Sequence, residues 1–306
     1  MSSNLKISEW FDIWYESQTH IKQSTKSIYQ SYANKHLKPK MRTVRLKKLS
    51  RELIQQFIDE LSIKLSPKTV RAVYSMLKLC LTAAYEKHLI GNVVDKICLP
   101  KTVSKDVKVL TKQEQKRLEQ VIEAENKEND IGILICLYTG IRIGELCALK
   151  WENINLDRKI MTIDKTMYSV QSNDGKCKTK IILSSPKSVN SERDIPIAEL
   201  LSEKLSKIQK SEGFVINRNG KYIEPAVYSR RYKKLLEKAG IEYMMFHSTR
   251  HTFSVRAREL GVDVQTLSEI LGHSSVSTTL NFYGHSLPEH KHNQMERIGG
   301  LFSQSK

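Results

Sequence analysis

From Ile7 to Gly91 apolar residues recur at the three-to-four spacing of amphipathic helices, a pattern that excludes a sheet from this part of the chain. Trp10, Phe11, Trp14 and Tyr15 share one face of a segment over 7–21. Ile28, Tyr29 and Tyr32 follow a cap at Ser24, and Leu53, Ile54, Phe57, Ile58 and Leu61 follow Ser50. Ser66-Pro67 opens a fourth helix: a capping side chain, then proline at the first helical position, where its missing N–H is no loss. Val70, Val73, Leu77, Cys80 and Ala84 line one side of that helix, which stops near Gly91. Four such helices with short connections specify a helical domain over 1–95.

Helical periodicity fades from residue 92, and 96–110, with Pro100, Lys101, Lys105 and Lys108, is expected to be a linker. Thr111 and Glu114 then stand in the order of a capping box. The domain that follows, 111–288, is mixed. Helical stretches cover about 111–126 and 130–150. Three short extended runs, Lys159–Asp164, Lys178–Ser184 and Arg193–Ile197, are separated by Asn173-Asp174-Gly175 and Ser185-Pro186, and are expected to form one small antiparallel sheet. Helices return at about 198–210, 225–239, 247–260, 264–271 and 275–283. In the segment 289–306, Met295, Ile298 and Phe302 fall on one helical face with no partner of their own, which suits a contact with a neighbouring subunit. The fold class is therefore mainly α with a small antiparallel β-sheet.

Lys and Arg outnumber Asp and Glu by 50 to 33, a formal charge of +17, and this excess asks for a polyanionic partner. Nucleic acid comes first and an anionic membrane surface second. Basic side chains crowd the second connection of the helical domain. Lys40, Arg42, Arg45, Lys47 and Lys48 lie beside helix starts there, and phosphate contact is favoured over a plain solvated loop. No apolar run reaches membrane-spanning length, and Met1–Lys6 is not a secretory signal. The five cysteines are odd in number and lack a C-x-x-C pair, as expected of reduced thiols in a cytoplasmic protein.

Several residues could do chemistry. An apolar helix ends at Gly140, and Arg142 opens the next one, where unpaired N–H groups and the helix dipole favour an anion; its planar fork suits phosphate. Glu145, one turn on, could hold it in place; a plain surface ion pair is the other reading. His247 and Arg250 share a side of one helix start, as a phosphate-binding pair or as a cap beside a solvated arginine. His273 follows the helix-ending Gly272, and Tyr283 lies ten residues further on; alone, Tyr283 reads as a packing residue. Lys187 sits at a turn tip between two strands. His285, His290 and His292 match no zinc spacing, so no metal is expected.

Taken in order, Gly140-Ile141-Arg142-Ile143-Gly144-Glu145-Leu146, Lys187, His247-Ser248-Thr249-Arg250, Leu271-Gly272-His273 and Tyr283 resemble the catalytic set of the tyrosine recombinases of the lambda-integrase class. The helical amino-terminal domain looks like that family's SAM-like core-binding domain, so the resemblance covers nearly the whole chain. Thr249 departs from the leucine common before the second arginine, at a packing position. The resemblance implies that Arg142 and Arg250 clamp the scissile phosphate and His273 adds a hydrogen bond to it. Tyr283 attacks in line to give a 3′-phosphotyrosyl link, with His247 as general base. Lys187 protonates the leaving 5′-oxygen, with Lys180 and Lys178 as alternatives, and Glu145 orients the site. No cofactor is implied.

The implied partners are double-stranded DNA with specific recombination sites, a homotetramer that exchanges strands through a Holliday junction, and an accessory excisionase. The context of Tyr283 favours integration and excision of a mobile element. Xer-type resolution of chromosome dimers is the alternative, favoured by chain length; a type IB topoisomerase and a non-catalytic DNA-binding regulator stand behind it.

Overall fold

The computed structural model describes residues 4–102, 108–171, 179–184, 192–273, 275–283, 295, 296 and 299. The chain divides into two compact units, Met1–Lys105 with Ser169–Lys180, and Asp106–Tyr168 with Ile181–Lys306.

The amino-terminal unit is helical: α1 (Ile7–Ser17), α2 (Gln23–Tyr32), α3 (Lys38–Met41), α4 (Arg51–Lys64) and α5 (Pro67–Glu86). The apolar stripes read from the sequence meet in one core built on Trp10, Phe11, Phe57, Ile58 and Leu77. Burial of each large apolar side chain is worth about 1.5–3 kcal/mol. The Trp10 indole satisfies its N–H by donating to the Cys80 carbonyl at 2.8 Å. Ser50 and Ser66 cap α4 and α5 by accepting from Leu53 N and Thr69 N.

Two local expectations change. Helix α2 begins at Gln23, and its cap position, Lys22, makes no side-chain cap bond, so Ser24 lies inside the helix. The chain after Tyr32 is also not a connection: a π-turn over Ala33–Leu37 leads straight into α3. Pro39 explains the wide turn, since it has no N–H to give and its ring crowds the carbonyl four residues back. Lys40 consequently lies within α3 and pairs with Glu60 on α4, while Arg42, Arg45, Lys47 and Lys48 follow the helix, exposed, up to a 3-10 turn over Leu46–Lys48. Beyond α5 the chain stays tied to this unit: Val94 is buried in its core, and Val93, Ile97 and Leu99 pack against it.

The second unit is organised around α7 (Ile131–Thr139), whose run Ile131–Leu137 is buried on all sides. It packs against α8 (Ile143–Ala148), α9 (Glu199–Ser206) and α11 (Ser248–Glu259). Helix α6 (Lys112–Glu125) opens with the anticipated capping box, with Thr111 and Glu114 exchanging side-chain and backbone bonds. Helices α10 (Pro225–Lys238), α12 (Val264–Leu271) and α13 (Val276–Tyr283) complete the unit.

The three extended runs do not make one sheet. A three-stranded antiparallel sheet takes β1 (Ile154–Asn155), β2 (Ile160–Ile163) and β5 (Arg193–Pro196), with Met161 opposite both Ile154 and Ile195. The middle run is β4 (Thr179–Ser184), and it pairs instead with β3 (Thr166–Gln171), a strand the sequence did not announce. A short hairpin, β6 (Asn217–Arg218) and β7 (Lys221–Tyr222), was also missed. Alternation in four to six residues marks a strand but not its partner, and β4 finds its partner in β3 and not in the sheet of β2 and β5. The strands that flank Lys187 thus belong to different sheets, and Lys187 itself lies outside the described residues. No helix among the described residues is long and apolar enough to cross a membrane.

Candidate active site

Gly140 sets the first arginine. It ends α7 in the left-handed conformation, φ +69°, and a Cβ there would lie 2.5 Å from Phe253 and 2.8 Å from Leu271. The reversal places Arg142 at the amino-terminal cap of α8. Glu145 reaches back to accept the Arg142 backbone N–H at 2.9 Å and its Nη1 at 2.8 Å.

Helix α11 supplies the second arginine. Arg250, in its first turn, is 2% exposed and donates from Nη1 to the Gly140 carbonyl and from Nη2 to the Leu271 carbonyl, both at 2.8 Å. Arg142 donates to the carbonyls of Leu271 at 3.4 Å and Gly272 at 3.3 Å. These acceptors end α7 and α12, where carbonyls lack helical partners and the dipole is negative. Two helix C-termini therefore hold the guanidinium groups that the sequence placed together.

Gly272 ends α12 with φ +63°, and His273 follows it. His273 Nδ1 shares a 2.7 Å hydrogen bond with the hydroxyl of Thr279, which is buried on α13. Tyr283 is the last residue of that helix. At the opening of α11, His247 stacks edge to face with His251, ring centroids 4.6 Å apart.

A third arginine was not anticipated. Arg193, on β5, donates from Nη2 to Glu145 Oε2 at 3.0 Å and from Nε to the Ile270 carbonyl at 2.6 Å. The sequence did carry a signal: Arg193 shares the strand face of the buried Ile195, so a charge stands on an apolar face. Thr279 carried no such signal.

Electrostatics follow from this packing. Burial by itself would raise the Glu145 carboxyl, but Arg193 and then Arg142 hold it below the usual carboxylate range, so it stays ionised. His273 is lowered to about 4, first by desolvation and then by Arg250, Arg142 and Arg193. His247 is also lowered to about 4. The residue is exposed overall, yet protein around its ring still desolvates the charged form, and His251, Arg250 and Arg142 add repulsion. Near neutral pH the site thus offers three guanidinium groups, one carboxylate and two neutral imidazoles. Arg142, with 36% of its side chain exposed, faces solvent. That balance suits a bound anion with planar oxygen pairs. Among the described residues no group of His, Cys, Asp and Glu could hold a metal ion.

Comparison with known proteins gives this geometry a lineage. Residues 108–290 match the profile of the phage integrase family, and residues 6–62 that of the phage integrase N-terminal SAM-like domain. A tyrosine recombinase XerC-like protein of Caldanaerobacter subterraneus is 29% identical over 264 residues, 78% of this chain and 67% of that protein. The XerA tyrosine recombinase of Pyrococcus furiosus is 30% identical over 211 residues, 66% of this chain and 65% of its own. The ICEBs1 integrase of Bacillus subtilis is 26% identical over 284 residues, 88% of this chain and 75% of its own. In fold, the chain is similar to the Tn1549 transposon integrase, solved with a circular intermediate DNA: TM-score 0.81 over 96% of this chain and 99% of that one, at 19% identity. Lambda integrase bound as a dimer to a core site gives a TM-score of 0.68 over 90% and 97%, at 18% identity. With residues 108–290, more than half of its length, matched by that profile, the chain belongs to the phage integrase family of tyrosine recombinases.

Proposed function

We propose that the chain integrates and excises a mobile element by breaking and rejoining DNA through a 3′-phosphotyrosyl intermediate on Tyr283. The observation that carries the reading is the convergence of Arg142 and Arg250 on the Leu271 carbonyl, which fixes two guanidinium forks beside neutral His273. In-line attack adds negative charge to a phosphodiester, and preorganised donors aimed at that charge lower the barrier. Arg142 and Arg250 clamp the non-bridging oxygens, and His273 donates to the same phosphate from the ring nitrogen that Thr279 does not hold. His247, neutral at pH 7, accepts the tyrosine proton, which an unassisted phenol with pKa about 10 would keep. Lys187 protonates the leaving 5′-oxygen, with Lys180 and Lys178 as the alternatives. The covalent bond retains the phosphodiester energy, so the scheme uses no cofactor.

The basic residues from Lys40 to Lys48 track the DNA backbone, and recombination proceeds in a homotetramer through a Holliday junction. The segment 289–306 docks on a neighbouring subunit, and an excisionase sets the direction. The ICEBs1 integrase and the Tn916 transposase of Enterococcus faecalis among the relatives support the mobile-element role. The Xer-type relatives support dimer resolution as the second reading.

A nicked suicide substrate carrying the element's own recombination site tests the chemistry. Wild type is expected to accumulate a covalent 3′ adduct, and Tyr283→Phe none. An adduct on Tyr283→Phe, or none on wild type that binds the same DNA, overturns the reading. Recombination between element ends, against recombination of a chromosomal dimer site, separates the two biological roles.

A further inference from the structure

We propose that Arg193 is a positioning residue that sets the reach of Arg142 toward the scissile phosphate by sharing the Glu145 carboxylate and pinning the end of α12. This rests on the phosphotransfer reading above.

The argument begins with Glu145. It is 3% exposed and ionised, and it must be compensated where it lies. Arg142 alone could satisfy it, with a bidentate fork onto both oxygens. That pose would turn the guanidinium onto the carboxylate and away from solvent. Arg193 prevents this. Its Nη2 reaches Glu145 Oε2 at 3.0 Å and its Nη1 approaches Oε1 at 3.4 Å, so Arg142 keeps one side-chain bond, Nη1 to Oε1 at 2.8 Å. The Nη2 of Arg142 is turned instead toward the Gly272 carbonyl, and the side chain stays partly open.

The second contact fixes the other half of the site. Arg193 Nε donates to the Ile270 carbonyl at 2.6 Å, one residue before the Leu271 carbonyl that Arg142 and Arg250 share and three before His273. A planar fork can hold a carboxylate and a carbonyl at once; the single ammonium of lysine cannot do so in the same geometry. Gly272 completes the fit, since a Cβ there would stand 2.9 Å from Arg193 Nη1. The Arg193 side chain is 7% exposed and lies behind the phosphate-facing groups, which makes it a support for them.

Single-turnover cleavage of the suicide substrate, together with DNA affinity and urea midpoints, tests the proposal on the full chain. Arg193→Gln is expected to slow adduct formation about 10²-fold, with affinity changed less than about threefold. Arg193→Lys restores charge without the fork, and is expected to recover less than tenfold. The decisive readout is a double-mutant cycle with Glu145→Gln. If Arg193 acts through Glu145, it costs less than about threefold more in that background. Additive losses, or wild-type cleavage by Arg193→Gln, overturn the proposal. If Arg193→Gln does not fold, Arg193→Lys carries the same cycle, and full activity of that variant is the overturning result. Wild-type adduct formation, lost in Tyr283→Phe, is scored in the same experiment. A failure of the recombinase reading is thereby distinguished from a failure of this one.

Discussion

Arg142 and Arg250 converge on one acceptor, the carbonyl oxygen of Leu271, at 3.4 and 2.8 Å. The first arginine opens α8 and the second lies in the first turn of α11, and the end of α12 joins them. Their common anchor is a carbonyl at a helix C-terminus, where the helix itself supplies no donor, so the spacing of the two charges is set by backbone that no side-chain motif describes.

Arg250 has a structural and a chemical part to play. Arg250→Gln removes the fork between the carbonyls that end α7 and α12, and is expected to cost about 1–3 kcal/mol in urea unfolding, because a buried acceptor loses its donor. Adduct formation is expected to fall about 10²–10³-fold at saturating DNA. Cleavage within tenfold of wild type would show that Arg250 serves packing alone.

Gly272→Ala tests the turn that precedes His273. The position has φ +63°, and the added Cβ would meet the Arg193 guanidinium at 2.9 Å. A loss of about 1–2 kcal/mol is expected from the left-handed backbone, with a further penalty from the contact. Thermal unfolding of the free protein measures it, and an unchanged midpoint would mean that the turn relaxes without strain.

The histidines give a pH signature. In the folded protein His273 and His247 titrate near 4, against about 6.5 in an unfolded chain. Between those values the unfolded state binds protons that the folded state does not. Stability therefore falls as pH drops from about 6.5 toward 4 and is insensitive to these groups above that window. Urea midpoints from pH 8 to 5 should show the decline. A DNA phosphate beside His273 favours its charged form, so its NMR titration should move up on binding; no movement would separate His273 from the phosphate.

The basic segment from Lys40 to Lys48 should divide by its ion pairing. Lys40 is matched with Glu60, whereas Lys47 and Lys48 are exposed. Lys47→Ala with Lys48→Ala is expected to lower the slope of log affinity against log salt by roughly 0.9 per lost phosphate contact, and Lys40→Ala by much less. Equal slopes for the two variants would mean that the Glu60 pair opens on DNA.

Local pattern was enough for some features and not for others. Apolar periodicity determined the long helices of both units, because burial of one helical face repeats within every turn, but not the short α3, which reads in the sequence as a connection. Gly140, Gly272 and the caps Ser50, Ser66 and Thr111 could be read singly, because each is required by its own backbone angles, whereas Ser24 lies inside its helix. Arg142, Glu145, His247, Arg250 and His273 were identified in order, as a family pattern. Tertiary structure decided what joins them. Strand pairing separated β4 from β5, since register and partner depend on surfaces distant in the chain. Helix C-terminal carbonyls became the arginine anchors, and Arg193, which read only as the start of a strand, became the second partner of Glu145. A sequence states which groups carry charge; the shared acceptors that aim those charges exist only once the helix ends have met.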